Sequence, residues 1–310
     1  MDLFLDILTR VTLPIIALAA LGFLLQPWLK LDIGTLTRLQ VNVVMPAFLI
    51  HFLSAGKQPL DVVWLVATLS VVQFMILIPL GWLCVVVLRM RASLGPIMGL
   101  GTAYANVGFF GIPVTLLAFG PEYLLHQSVL TAMTTILVCT LGVWLLSPQK
   151  SGVAGKLRSA FETPLIPSVA LGLALRYFEV ELPPLASQPL QLLGTIFTPL
   201  ALYTLGAQIA ATRIAGEKSL RIEALPQAVI LALKLAVSPL ITLYLCRALN
   251  VPADVTPVLV VAAATPVGVL ITIFAAELKA EPEFISTATV ISTALSPLTV
   301  TAWIIYSRLW

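Results

Sequence analysis

Two short stretches of this sequence carry residues whose types and spacing could do chemistry. The first reads Gly101-Thr-Ala-Tyr-Ala-Asn-Val-Gly-Phe-Phe-Gly-Ile-Pro113 and the second Ala262-Ala-Ala-Thr-Pro-Val-Gly-Val269. Pro113 and Pro266 each remove a backbone donor and clash with the preceding turn. Gly108, Gly111 and Gly268 let the backbone leave helical geometry. A helix broken in this way exposes a half-helix N-terminus, whose free N–H groups and dipole attract anions. Two facing breaks would supply two such termini. Asn106 adds a neutral amide that can donate to a carboxylate and accept from a hydroxyl. The chemistry is therefore reversible recognition of a small organic anion. The expected substrate contacts are Asn106, Val107, Gly108, Pro113, Pro266, Val267 and Gly268. Asn42, one turn before Pro46, and its neighbour Met45 are further candidates. The bland alternative is a pair of proline kinks, with Asn106 bonded to a neighbouring helix.

Other polar groups lie in apolar runs. Asn42, His51, Gln73 and Gln208 have interhelical hydrogen bonding as their ordinary explanation. Lys234 falls near the middle of an apolar run, where a lysine costs at least about 2.5–3.5 kcal/mol. Three roles stay open for it: held uncharged by desolvation, bonded to helix-end carbonyls, or titrating and coupled to transport. Gln73 and Phe74 occupy the equivalent place earlier in the chain, so Gln73 is a supporting candidate and does not balance that charge. Enzymatic chemistry has no basis here. The only histidines are His51 and His126, and no phosphate-cradling glycine loop occurs. Cys84, Cys139 and Cys246 have no metal-ligand spacing. No catalytic residue, metal or cofactor is expected.

The elements that position these residues must be membrane helices. The 310 residues are 59% hydrophobic and only 10% charged, against about 25% charged in soluble domains. A net charge of +3 is too weak for nucleic acid, which needs a clustered basic face. Apolar windows predict ten spans near 5–27, 35–55, 60–88, 95–119, 124–146, 163–178, 187–211, 224–247, 254–277 and 284–306. Sorting the loops by side leaves Arg10, Lys57, Arg176, Arg247 and Arg308 with the N-terminus. Eleven cations fall opposite: Lys30, Arg38, Arg89, Arg91, Lys150, Lys156, Arg158, Arg213, Lys218, Arg221 and Lys279. Basic loops stay in the cytoplasm, so both termini are expected outside, periplasmic in an inner membrane.

The two halves also resemble each other. Pro14 matches Pro167 and Pro46 matches Pro199, both 153 residues apart; Pro79 matches Pro239 and Gly108 matches Gly268, both 160 apart. A seven-residue insertion between spans 7 and 8 accounts for the change. Halves of five spans, 1–150 and 151–310, enter the membrane with opposite polarity, as in many secondary transporters. The predicted fold is an all-α membrane protein with a 5+5 inverted repeat and broken spans 4 and 9.

These residues also carry a family resemblance. Asn106 followed by Gly111-Ile112-Pro113 is similar to the span-4 crossover of the auxin efflux carrier family, bacterial relatives of plant PIN-type carriers. Pro266-Val-Gly268, Phe274-Ala-Ala-Glu277, Pro282 and Ile285-Ser-Thr287 resemble its stretch from the second crossover into the last span, and Lys234 matches a basic residue of its eighth span. The resemblance implies a crossover fold like that of bile-acid symporters and sodium–proton antiporters. It further implies a scaffold of spans 1, 2, 6 and 7 that forms a homodimer, and a transport domain of spans 3–5 and 8–10 that moves like an elevator. The implied substrate is a small organic anion, such as a carboxylate, with export as the expected direction. Rival readings are a sodium-coupled symporter of the bile-acid type and a non-transporting membrane sensor or anchoring subunit.

Overall fold

The computed structural model describes Leu5 and residues 7–55, 60–146, 164–214 and 223–308. Twelve helices occur among the described residues. They are α1 (Leu8–Leu29), α2 (Ile33–Ala55), α3 (Leu60–Val87), α4 (Leu94–Ala103), α5 (Val107–Ala118), α6 (Pro121–Leu146), α7 (Leu165–Tyr177), α8 (Pro184–Ile214), α9 (Ala224–Ala248), α10 (Thr256–Ala263), α11 (Val269–Glu277) and α12 (Pro282–Arg308). Seven of them, α1, α2, α3, α6, α8, α9 and α12, are long and apolar enough to cross a membrane. At the places of the predicted broken spans 4 and 9 the chain forms the shorter pairs α4–α5 and α10–α11. No strand occurs among the described residues.

Local sequence explains much of the helix shape. Asp32 caps α2, its carboxylate accepting from the N–H groups of Gly34 and Thr35. The Thr35 hydroxyl also donates to it and, outside the membrane, holds that carboxyl below its usual range. Widened π-turns occupy 8–12, 40–44, 107–111 and 233–237. Each ends two residues before a proline, at 14, 46, 113 and 239. Proline clashes with the carbonyl of the turn before it, and a widened turn is a common way for a helix to absorb such a defect.

Packing sorts the helices into two groups. α1 crosses α8 at very short range, because an added Cβ at Gly22 would lie 1.9 Å from the Tyr203 carbonyl oxygen and one at Gly206 1.7 Å from that of Ala19. α2 packs on α7 and α8, and Gln40 of α2 donates to Thr204 of α8. In the other group α3 packs on α4 and α6, while α12 packs on α9, α10 and α11. Gln73 of α3 donates to Thr242 of α9 at 3.0 Å, which ties the halves of this second group together. Apolar side chains left outside, such as Trp28 at 85%, Trp64 at 72% and Leu298 at 71% exposed, suit a lipid solvent.

The ends of the helices segregate as well. Arg91, after α3, pairs with Glu223 at 2.7 Å before α9 and with Glu281 at 3.1 Å before α12. These connections therefore share one face, the face on which the loop sorting put Arg91. Lys57, Lys150, Lys156, Arg158, Lys218 and Arg221 lie outside the described residues, as do the boundary between the proposed halves and the insertion between spans 7 and 8.

Candidate functional site

The two breaks meet. Between α4 and α5 the chain leaves helical geometry, extended at Tyr104 and turning at Asn106, and between α10 and α11 it does so at Val267 and Gly268, extended at Gly268. Asn106 N–H donates to the Pro266 carbonyl at 2.8 Å and Gly268 N–H to the Tyr104 carbonyl at 3.1 Å, an antiparallel bridge of Ala105 with Val267. Non-helical backbone at membrane depth must be satisfied within the protein, and this pairing supplies the partners. The long helices α6 and α12 each brace one break. Gln127 of α6 donates to the Val107 carbonyl at 2.7 Å. Ser292 of α12 accepts from Val267 N–H at 3.1 Å. Glycine is required at 268, where an added Cβ would lie 2.2 Å from the Tyr104 ring.

Asn106 is 3% exposed, and its Nδ2 has no hydrogen-bond partner. Buried polar groups are normally bonded. The Asn106 amide is an exception, and it lies at the junction of the two broken helices. The interhelical bond of the bland reading is not made by this donor.

A cavity of about 610 Å³ opens on the Arg91 face. It lies between the first turns of α2, the end of α8, the start of α11 and the first half of α12, with Arg38 at its mouth and Val269 and Thr293 deeper in. A narrow extension of about 10 Å³, room for about one water, continues inward to Phe109 and Thr204. At its inner end Phe109 begins a row of tilted ring contacts. Phe109 lies 5.9 Å from Phe197, Phe197 5.3 Å from Phe48, and Phe48 4.5 Å from Phe52.

The predicted residues fall into three sets. Asn106, Val107, Gly108, Pro266, Val267 and Gly268 come together at the bridge, all buried. Met45 joins them, its methyl 3.1 Å from where a Gly108 Cβ would stand. None of these lines the open cavity, which reaches the breaks one residue later, at Val269. One expectation needs correction. Pro113 does not make the break; the chain leaves helical geometry at Tyr104–Asn106, and Pro113 sits buried inside α5 after its π-turn. Asn42 is exposed on α2 and donates to the Arg38 carbonyl of its own helix at 2.8 Å.

Lys234 is fully buried in the π-turn of α9, which packs on α4 and α12, and its Nζ has no partner. In this structure its Nζ reaches neither a helix-end carbonyl nor the surface. Gln73 bonds Ser238 and Thr242, four and eight residues beyond Lys234 on α9. The cavity residues Thr37, Thr289 and Thr293 escape a sequence reading. Their one available signal is hydroxyls at 286, 289 and 293 along α12, a spacing that puts them on one helical face.

A family model described as Membrane transport protein matches residues 7–304. An uncharacterized transporter of Methanothermobacter thermautotrophicus is 26% identical over 95% of this chain and 97% of its own length. With paired helix breaks inside a bundle of apolar helices and a match over nearly the whole chain, this protein belongs to the membrane transport protein family, the auxin efflux carriers that its sequence resembles.

Proposed function

We propose that the protein is a secondary carrier that moves a small organic anion, such as a carboxylate, across the inner membrane by elevator-type alternating access. In this reading α4–α5 and α10–α11 each count as one span, which with α7 makes ten, in two inverted halves at 1–150 and 151–310. Spans 1, 2, 6 and 7 (α1, α2, α7, α8) form the scaffold and the homodimer contact. Spans 3–5 and 8–10 form the moving domain. Both termini are periplasmic, the Arg91 face is cytoplasmic and export is the working direction. The packing of α1 on α8 and of α2 on α7, apart from the α3–α6 and α9–α12 group, supports that division.

One observation carries the reading: two broken helices are paired through their backbones, with an unbonded Asn106 amide buried at the junction and a cavity ending at the first turn of α11. The first N–H groups of a helix have no partner within it, so α11 presents donors and a positive dipole end where the cavity stops. The substrate carboxylate is received there. The Asn106 Nδ2 completes its hydrogen bonds as the cavity closes. Alternation then needs the Phe48–Phe197–Phe109 contacts to part while the open face closes.

Counterflow of labelled carboxylates into proteoliposomes, with and without a sodium gradient, tests this. Exchange that needs no sodium supports the proposal. Strictly sodium-dependent uptake replaces it with a bile-acid-type symporter. Absence of any carboxylate flux from folded protein rejects it.

A further inference from the structure

A second cavity, of about 680 Å³, opens on the Ala55 face and shares no residue with the paired breaks. α2 begins beside the first cavity and ends at this one, with His51 and Ser54 on its wall. The rest of the lining comes from the end of α7, the connection after it and the start of α8, so all of it belongs to the group in which α2 packs on α7 and α8. Glu179, at φ +52°, closes α7 with a left-handed turn, and the Val180 N–H donates to the Leu175 carbonyl at 2.8 Å. Glu179 and Glu181 thereby share the lining with the partly exposed Arg176. Yet the three charges do not pair. Among the described residues none of them forms a salt bridge, and on the inner side the Arg176 Nη1 is buried without a hydrogen bond, so nothing neutralises it there either.

Opposite charges held apart on one wall fit a ligand that carries both signs. The described lining sets two carboxylates against one guanidinium, so a purely anionic group would meet more repulsion than attraction. A phosphate suits Arg176, whose guanidinium directs its N–H groups at phosphate oxygens. A primary ammonium offers three N–H donors to carboxylates. The hydroxyls of Ser54, Tyr177 and Ser187 can bond to either group. Position indicates the source. Tyr177 and Phe178 are 68% and 70% exposed beside the cavity, as aromatic residues are at a membrane–water boundary. Val180 on the wall and Leu185 at the start of α8 are exposed apolar side chains on which hydrocarbon can lie. We propose that this cavity binds a phospholipid whose headgroup joins a phosphate to a primary ammonium, as in phosphatidylethanolamine, with Arg176 on the phosphate and Glu179 and Glu181 on the ammonium.

Short-chain lipids with ethanolamine, choline and glycerol headgroups, and chain-free phosphoethanolamine, test this by calorimetric titration of the purified full chain in detergent. The ethanolamine lipid should bind tightest, about 2- to 5-fold above the choline lipid, whose quaternary ammonium has no N–H to give to exposed carboxylates. Arg176→Gln should weaken it at least about tenfold, and Arg176→Lys less. The double variant Glu179→Gln with Glu181→Gln should still bind these lipids but lose the preference for ethanolamine over choline. Both carboxylates are exposed, so this variant strands no partner and decides the matter even if Arg176→Gln loses its folded size-exclusion peak. Equal binding of the three lipids, tightest binding of the glycerol lipid, or an ethanolamine preference that survives the double variant would overturn the proposal. Phosphoethanolamine binding as tightly as its lipid would assign the cavity to a free zwitterion and overturn the lipid assignment.

Discussion

Replacing Asn106 by leucine should move stability and affinity in opposite directions. In the empty protein the Nδ2 of Asn106 is buried without a partner, and an orphaned buried donor costs about 1–3 kcal/mol. Leucine fills nearly the same space without a polar group. The empty Asn106→Leu protein should therefore be as stable as the parent or more so, by up to about that amount. Binding behaves otherwise. A hydrogen bond to a charged group contributes about 1.5–3 kcal/mol. Because this amide has no partner to give up, its bond to a carboxylate should fall in the upper half of that range. Affinity should then drop by roughly 40- to 150-fold. Thermal unfolding in detergent reads the first quantity and titration with a transported carboxylate the second. A marked loss of stability in the empty protein would mean that the amide is bonded in the resting state. Unchanged affinity in a folded protein would mean that Asn106 does not touch the substrate. Either result refutes the reasoning.

Other expectations follow from single placements. Lys234→Gln and Lys234→Met should both fold with stability at or above the parent, because no partner is stranded; if the amine couples to transport, both lose the pH dependence of counterflow, and an unchanged pH profile would deny it that role. Phe197→Ala removes the ring that touches both Phe48 and Phe109; on a background lacking the three native cysteines, a cysteine at Leu205 should then react with an impermeant maleimide added on the Ala55 face, and should not when Phe197 is present. Gly206→Val drives a side chain into the Ala19 carbonyl and should separate α1 from α8, read as loss of the folded peak in size-exclusion chromatography. Reporter fusions at the C-terminus should be active only in the periplasm; cytoplasmic activity would break both the span count and the inverted repeat.

Much of the architecture was legible because its causes are local. A run of apolar residues needs no tertiary contact to be unfit for water, and a Pro or Gly within it weakens the helix wherever it lies. The breaks near Asn106 and Gly268, the unsuitability of Lys234 for lipid and the face to which Arg91 belongs could all be read in this way. Position within a break was less legible. Pro113 is the obvious breaker by composition, yet a π-turn absorbs it, and the chain opens at Tyr104–Asn106, where Val267 and Gly268 offer backbone partners. That choice depends on segments 162 residues apart in the chain, so no local rule contains it. The cavity is the clearest case. It is space left between α2, α8, α11 and α12, set by how closely α1 and α8 approach at Gly22 and Gly206 and by which rings stack beyond Phe109. Residue types determine what can line such a space; only the packing of whole helices determines where it opens.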